Sequence, residues 1–186
     1  MAKVLIPLAT GFEELEAITL IDLLRRADIE VITAGLEPGP VKASRDTVIL
    51  PDTELSAVME RDFDMIVLPG GLPGATHLDA DPRVHQLLKR HAESGAYTAA
   101  ICAAPKVLAN AGLLDDRSAT AYPGSVLQHD YPRLDLVDTP VVVDGHVVTS
   151  RGPGTAMDFA LTLIGLLVGD ERRAEVEAAL LRPKLS

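Results

Sequence analysis

The chain is 186 residues long, 47% hydrophobic and 24% charged, a size and balance that predict one globular domain over residues 1–186 and exclude a disordered or collagen-like chain. Its 27 acidic residues outweigh 17 basic ones for a net charge of -10, and the Lys and Arg are scattered without a basic stripe, which argues against a direct nucleic-acid patch. One cysteine excludes an internal disulfide, MAKVLIPLA at the N-terminus lacks a signal-peptide core and cleavage site, and no apolar run reaches membrane-spanning length, so a reducing, cytoplasmic location is expected.

Apolar runs of strand length alternate with stretches of helical period, the pattern of a doubly wound α/β fold whose mostly parallel sheet is covered by helices on both faces. KVLIPLA (3–9) reads as a buried first strand. Thr10 with Glu13 three residues on makes a capping box, predicting a helix to about Ala27 with Leu15, Ile18, Ile21 and Leu24 on its buried stripe. IEVITAG (29–35) is a second strand ending in the turn-forming EPGP, and TVILP (47–51) predicts another extended piece. DMIVLPGG (64–71) is a third buried strand, stopped by Pro-Gly-Gly. A helix from about Pro82 to Glu93 closes at Ser94-Gly95, and AYTAAIC (96–102) is the fourth central strand. The helical pattern Pro105, Val107, Leu108, Ala111 ends at Gly112, which leaves Cys102 at a strand-to-helix junction. PVVVDGHVVTS (140–150) predicts an antiparallel hairpin turning at Asp144-Gly145. A long helix runs through AMDFALTLIGLLVG (156–169), and EVEAALL forms a last short one.

In open parallel sheets, functional groups collect in the crevice at the carboxyl ends of the strands. Three features fall there: residues 11–16 after the first strand, Gly70-Gly71 after the third, and Cys102 after the fourth. A thiol at a helix N-terminus meets unpaired N–H groups and the positive dipole end, which favour thiolate and predict a lowered pKa. Free cysteine is equally at home as a small buried hydrophobe. The small neighbours Ala100 and Ala104 fit a sharp nucleophile elbow, and on local grounds the two readings of Cys102 balance. Gly70-Gly71 reads either as backbone N–H groups for an oxyanion or as a simple turn. Glu13, Glu14 and Glu16 suit a helix start, yet a carboxyl facing a thiolate would be pushed toward its protonated form and could carry protons. His77, His85, His91, His129 and His146 show no metal-ligand spacing and mostly read as solvated surface, with His129 a remote candidate base. No Walker loop or dinucleotide fingerprint is present.

Taken together, GFEELEA (11–17), DLLRRADIEVITAGL (22–36), SRDTVILPD (44–52), VLPGGLPGA (67–75), AAICAAP (99–105) and TSRGPGTAMDFAL (149–161) resemble the DJ-one branch of the ThiJ/PfpI superfamily, which includes parkinsonism-associated deglycases and YajL-like bacterial proteins. The likeness spans almost the whole chain. It implies a flavodoxin-like sandwich, a homodimer, and a reactive cysteine on a nucleophile elbow. Motif by motif, Cys102 matches the family's nucleophile and Glu16 the protonated glutamate hydrogen-bonded to it. Gly71 and Ala103 match positions whose backbone N–H groups face the sulfur and a bound oxyanion. Glu13, Gly70, Arg45 and the SRGPGT stretch match pocket or dimer-side positions, and Arg26 a residue reaching toward the partner's site. Ala104 stands where AICAGP has glycine. Tyr122 stands where animal members carry a histidine; as a poorer base it leaves Glu16 more of the proton transfer and weighs against amidotransferase and peptidase chemistry.

The resemblance implies detoxification of reactive α-dicarbonyls, methylglyoxal to lactate, through a Cys102 hemithioacetal with Glu16 as proton shuttle, and deglycase action by the same nucleophile. This covalent route requires no cofactor. The alternative from another class is an oxidative-stress sensor or redox-regulated chaperone in which Cys102 is oxidised to sulfinate.

Overall fold

The protein is described by a computed structural model over residues 1–182. In chain order its first half comprises β1 (Lys3–Leu8), α1 (Glu14–Arg26), β2 (Glu30–Gly35), β3 (Val41–Lys42), β4 (Val48–Ile49), β5 (Thr53–Glu54), β6 (Met65–Leu68), α2 (Leu72–Ala80) and α3 (Pro82–Glu93). The second comprises β7 (Tyr97–Ile101), α4 (Pro105–Asn110), β8 (Ser118–Ala119), β9 (Asp135–Leu136), β10 (Val141–Asp144), β11 (Val147–Ser150), α5 (Ala156–Val168) and α6 (Asp170–Ala179).

The main sheet has seven strands in the order β10-β11-β7-β6-β1-β2-β5, all parallel except the β10–β11 hairpin. A parallel strand covered on both faces has no wet side, and VLIPL of β1, MIVL of β6 and TAAI of β7 are buried throughout. From β1 the chain crosses to β2 on one side, whereas β6 and then β7 lie on the other. Right-handed crossovers in opposite directions place their helices on opposite faces: α1, α5 and α6 pack together, as do α2, α3 and α4. The switch in direction falls between β1 and β6, beside β7, and opens a crevice at their carboxyl ends.

Several local expectations change. The helix α1 starts at Glu14, with Glu13 as a cap whose side chain makes no capping bond, so the Thr10–Glu13 capping box does not form. The carboxylate of Glu13 accepts from the Ser44 hydroxyl instead. The buried face of α1 carries Glu16, Ala17, Leu20, Leu23 and Leu24; Leu15 and Ile18, expected inside, are 52% and 45% exposed. A buried acid on the core face is what rotates the apparent apolar stripe. The extended piece at 47–51 is only the two-residue β4, paired with β3 outside the main sheet. The short helix expected at EVEAALL begins earlier and spans Asp170–Ala179. Of the five histidines, read mostly as solvated surface, His91 is buried: its Nε2 accepts from the Phe63 N–H at 3.2 Å and its Nδ1 lies 2.8 Å from the Leu87 carbonyl.

Helix α2 is absent from the sequence reading, and its composition explains why. Pro73 sits in the first turn, where a missing N–H costs nothing, and Gly74 is required by packing, since a Cβ there would lie 2.7 Å from the backbone N and Cα of Phe12. The segment is helical because it docks against the loop before α1, against its own propensity.

Candidate active site

Cys102 ends β7 and precedes α4, and its φ of +64° is left-handed, a conformation that costs a residue with a Cβ about 1–2 kcal/mol. The surroundings impose it. The Cys102 N–H donates to the Ser150 carbonyl at 3.0 Å, tying the elbow to the end of β11. Its carbonyl accepts from the Tyr122 N–H at 2.8 Å and the Ser125 hydroxyl at 3.3 Å, while Ala104 N–H closes the turn onto Ile101 at 3.0 Å. Ala103 and Ala104 are buried, so larger side chains would have no room in the bend.

Glu16 arrives from the first turn of α1 with no exposed surface. Its Oε2 accepts from the Gly70 N–H at 2.7 Å, and its Oε1 is buried without a conventional hydrogen-bond partner. The nearby titratable groups are the Cys102 thiol and Glu13. Gly70 makes the juxtaposition possible: a Cβ there would stand 2.6 Å from both Cys102 Cβ and Glu16 Oε2. Gly71 follows with φ +88°, capping α2, where a Cβ would lie 2.5 Å from the Gly11 carbonyl oxygen. The N–H groups of Gly71 and Ala103 both bear on the Cys102 sulfur.

The electrostatics differ from the helix-terminus expectation. Burial pushes the Cys102 thiol up to about 12, the charge of Glu16 adds to this, and the Gly71 and Ala103 N–H groups oppose it without prevailing. The lowered thiol pKa expected from sequence is therefore corrected. Helix α4 has only six residues, and its dipole cannot offset burial beside a carboxylate. Burial likewise lifts Glu16 to about 7, against the Gly70 N–H and the thiol, with the charge of Glu13 raising it further. The ionised carboxylate opposes thiolate formation, while the neutral thiol, by donating to it, favours the carboxylate. Once the thiol proton sits on Glu16, the charge opposing thiolate is gone and the two backbone donors remain.

These groups meet at a pocket of about 460 Å³. Cys102, Gly71, Ala103, Glu13, Arg45 and Tyr122 all line it, while Glu16 and Gly70 lie directly behind. The Arg45 N–H donates to both oxygens of Glu14 at 2.9 and 3.1 Å, and its guanidinium to the Ser44 carbonyl at 3.2 Å. Pro153 brings the SRGPGT stretch to the rim. His129 is exposed and paired with Asp130 outside this pocket, and Arg26 pairs with Asp22 on its own helix. Sequence reasoning missed Ser125, which bonds the carbonyls of both Cys102 and Tyr122, because a serine after Pro-Gly carries no signal beyond a turn. It also missed Leu72, whose exposed apolar chain belongs to the unforeseen α2.

A larger cleft of about 620 Å³ at the ends of β1 and β2 contains Arg83, already neutralised by Asp81, and no nucleophile. Among the described residues no group of three His, Cys, Asp or Glu side chains is placed to hold a metal, and no helix is long and apolar enough to cross a membrane.

The sequence pattern of the DJ-1/PfpI family matches residues 2–166. Protein dj-1beta of Drosophila melanogaster is 47% identical over 180 residues, 95% of each chain. The crystal structure of Drosophila melanogaster DJ-1beta superposes with a TM-score of 0.93 at 44% identity, covering 98% of this chain and 99% of that one. The glutathione-independent glyoxalase DJR-1.2 of Caenorhabditis elegans is 38% identical over 162 residues, 86% of this chain and 85% of its own. With a mostly parallel sheet, an elbow cysteine and similarity along nearly its full length, the chain belongs to the DJ-1/PfpI family.

Proposed function

We propose that the protein is a cysteine-dependent enzyme that converts α-oxoaldehydes such as methylglyoxal to 2-hydroxy acids, acting through Cys102 and Glu16. The observation that carries this reading is a buried carboxyl whose pKa is lifted to about 7 beside an elbow thiol at the floor of a pocket. A group titrating near neutrality serves as both acid and base, which is what moving one proton back and forth requires. The name of the Caenorhabditis relative supports the same substrate class.

The Cys102 proton passes to the Glu16 carboxylate, and the thiolate adds to the aldehyde carbon. The aldehyde oxygen takes the proton back from Glu16, leaving a hemithioacetal, with the Gly71 and Ala103 N–H groups stabilising negative charge as it develops. Glu16 then removes the C–H proton of that carbon and returns it to the neighbouring carbonyl carbon, through an enediol, to give a thioester. Water cleaves the C–S bond, releasing the hydroxy acid and restoring the thiol. One carbon is oxidised as its neighbour is reduced, so no external electrons are consumed and no cofactor is required. The same nucleophile would serve deglycase action on glycated groups. A homodimer fits the exposed Leu15 and Ile18 of α1 and Val48 and Leu50 near β4, apolar side chains that a second copy would cover.

Lactate formation from methylglyoxal, measured for wild type, Cys102→Ser and Glu16→Gln, tests the reading. Wild type should exceed both variants by at least about a hundredfold. Equal rates in all three would sink it.

A further inference from the structure

The pocket is much larger than a three-carbon oxoaldehyde needs. Its roughly 460 Å³ falls in the range of about 300–1,000 Å³ that encloses drug-sized ligands. The chemistry of its walls is uneven. Polar groups come from the loop before α1 and the β3–β4 hairpin, on the β1 side of Cys102. On the β11 side the lining is Tyr122, Pro123, Gly124, Ser125 and Pro153, with the Ser125 hydroxyl spent on backbone carbonyls, and Leu72, 70% exposed, adds an apolar lip from the start of α2.

Tyr122 is not a loose surface ring. Its N–H is bonded to the Cys102 carbonyl, and the Ser125 hydroxyl bridges the carbonyls of Cys102 and Tyr122, so the ring's anchor is fixed to the nucleophile's own backbone. Gly152 leaves space for the ring, since a Cβ there would lie 3.3 Å from Tyr122 Cδ2. The result is a flat ring on a backbone tied to the nucleophile, packed beside Gly152 and lining the pocket that holds Cys102, with half of its area exposed.

We propose that Tyr122 is a specificity-determining residue that selects α-oxoaldehydes bearing an aryl or comparably flat apolar substituent, which stacks on its ring while the two carbonyls sit over Cys102. This rests on the α-oxoaldehyde reading above. Aromatic stacking adds to simple burial, and both are forfeited by a methyl substituent too short to reach the wall. The role is one of positioning, so its loss appears chiefly in KM and in the ratio between substrates.

Steady-state kinetics of the full chain with methylglyoxal and phenylglyoxal, reading lactate and mandelate, tests it. Wild type should favour phenylglyoxal in kcat/KM by about tenfold. Tyr122→Ala should lower that preference by about tenfold, mostly through KM, and Tyr122→Phe should retain it. Gly152→Ala, whose new methyl presses on the ring, should also reduce the preference and provides a second route if Tyr122→Ala folds poorly. A wild type that prefers methylglyoxal, or a ratio unchanged in Tyr122→Ala and Gly152→Ala, overturns the assignment while leaving the parent reaction standing. Turnover of neither aldehyde removes both.

Discussion

Glu16→Gln preserves the side-chain shape and an oxygen for the Gly70 N–H but cannot ionise. In the wild type the carboxyl has no exposed surface, and burial lifts its pKa from 4.5 to about 7. Below pH 4.5 folded and unfolded chains both hold the proton. Between 4.5 and about 7 the unfolded chain has released it and the folded chain has not, so stabilisation present at low pH is lost as pH rises, by about 1.4 kcal/mol per pH unit. The loss reaches about 3 kcal/mol and levels off above the folded pKa. Glutamine has no such dependence, and titrating groups outside the Glu16–Cys102 pair cancel in the comparison. The unfolding free energy of Glu16→Gln relative to wild type should therefore grow by about 3 kcal/mol between pH 4 and pH 8. Urea denaturation followed by circular dichroism at pH steps across that range measures it. A difference that stays constant with pH, or that moves toward the wild type, refutes the burial argument.

Two further outcomes follow from the same electrostatics. The proposed mechanism starts with Glu16 as carboxylate, so kcat/KM for methylglyoxal should rise with pH through about 7; a flat profile from pH 5.5 to 8.5 contradicts the assigned proton path. Burial lowers the pKa of His91 below its ordinary 6.5, with the Arg90 charge adding to this and the Leu87 carbonyl and Asp62 opposing it. A depressed folded pKa gives stability that is present above 6.5 and lost as pH falls through the folded value, so acid unfolding should be blunted in His91→Gln. His91→Leu, which leaves the Phe63 N–H without its acceptor, should cost about 1–3 kcal/mol at neutral pH in the same urea assay.

What was legible in the sequence was what local chemistry decides. The hairpin turn at Asp144-Gly145 needs a positive φ, and Gly145 has one of +59°; helix α3 over Pro82–Glu93 closes at Ser94-Gly95, where Gly95 has a φ of +82°. Phase and docking were not legible. Leu15 and Ile18 fit the apolar period better than Glu16 does, and only the tertiary placement of Gly70 and Cys102 explains why an acid occupies the core face. Helix α2 follows from contact with Phe12, which no window of its own residues contains. At the site, the motifs point to Cys102, Glu16, Gly71 and Ala103, which the structure brings together around one pocket. The direction of the thiol's pKa departs from the helix-terminus expectation because the dipole of a helix start is visible in sequence, whereas the depth of burial is not.

The burial of the thiol bears on how the site works. A permanently ionised thiol would be exposed to any electrophile or oxidant entering the pocket. In the proposed mechanism the resting thiol is neutral, and thiolate forms only when Glu16 takes the proton. Two of the causes that hold the thiol near 12 are the charge of Glu16 and the hydrogen bond its carboxylate accepts from the thiol. Glu16→Gln removes both, leaving burial opposed by the Gly71 and Ala103 N–H groups. The variant that should lose turnover should therefore be alkylated faster by iodoacetamide at pH 8 than the wild type, with mass spectrometry locating the adduct on Cys102. Parallel loss of turnover and alkylation would instead mean that Glu16 merely supports the elbow, whereas their divergence separates a proton shuttle from a structural prop.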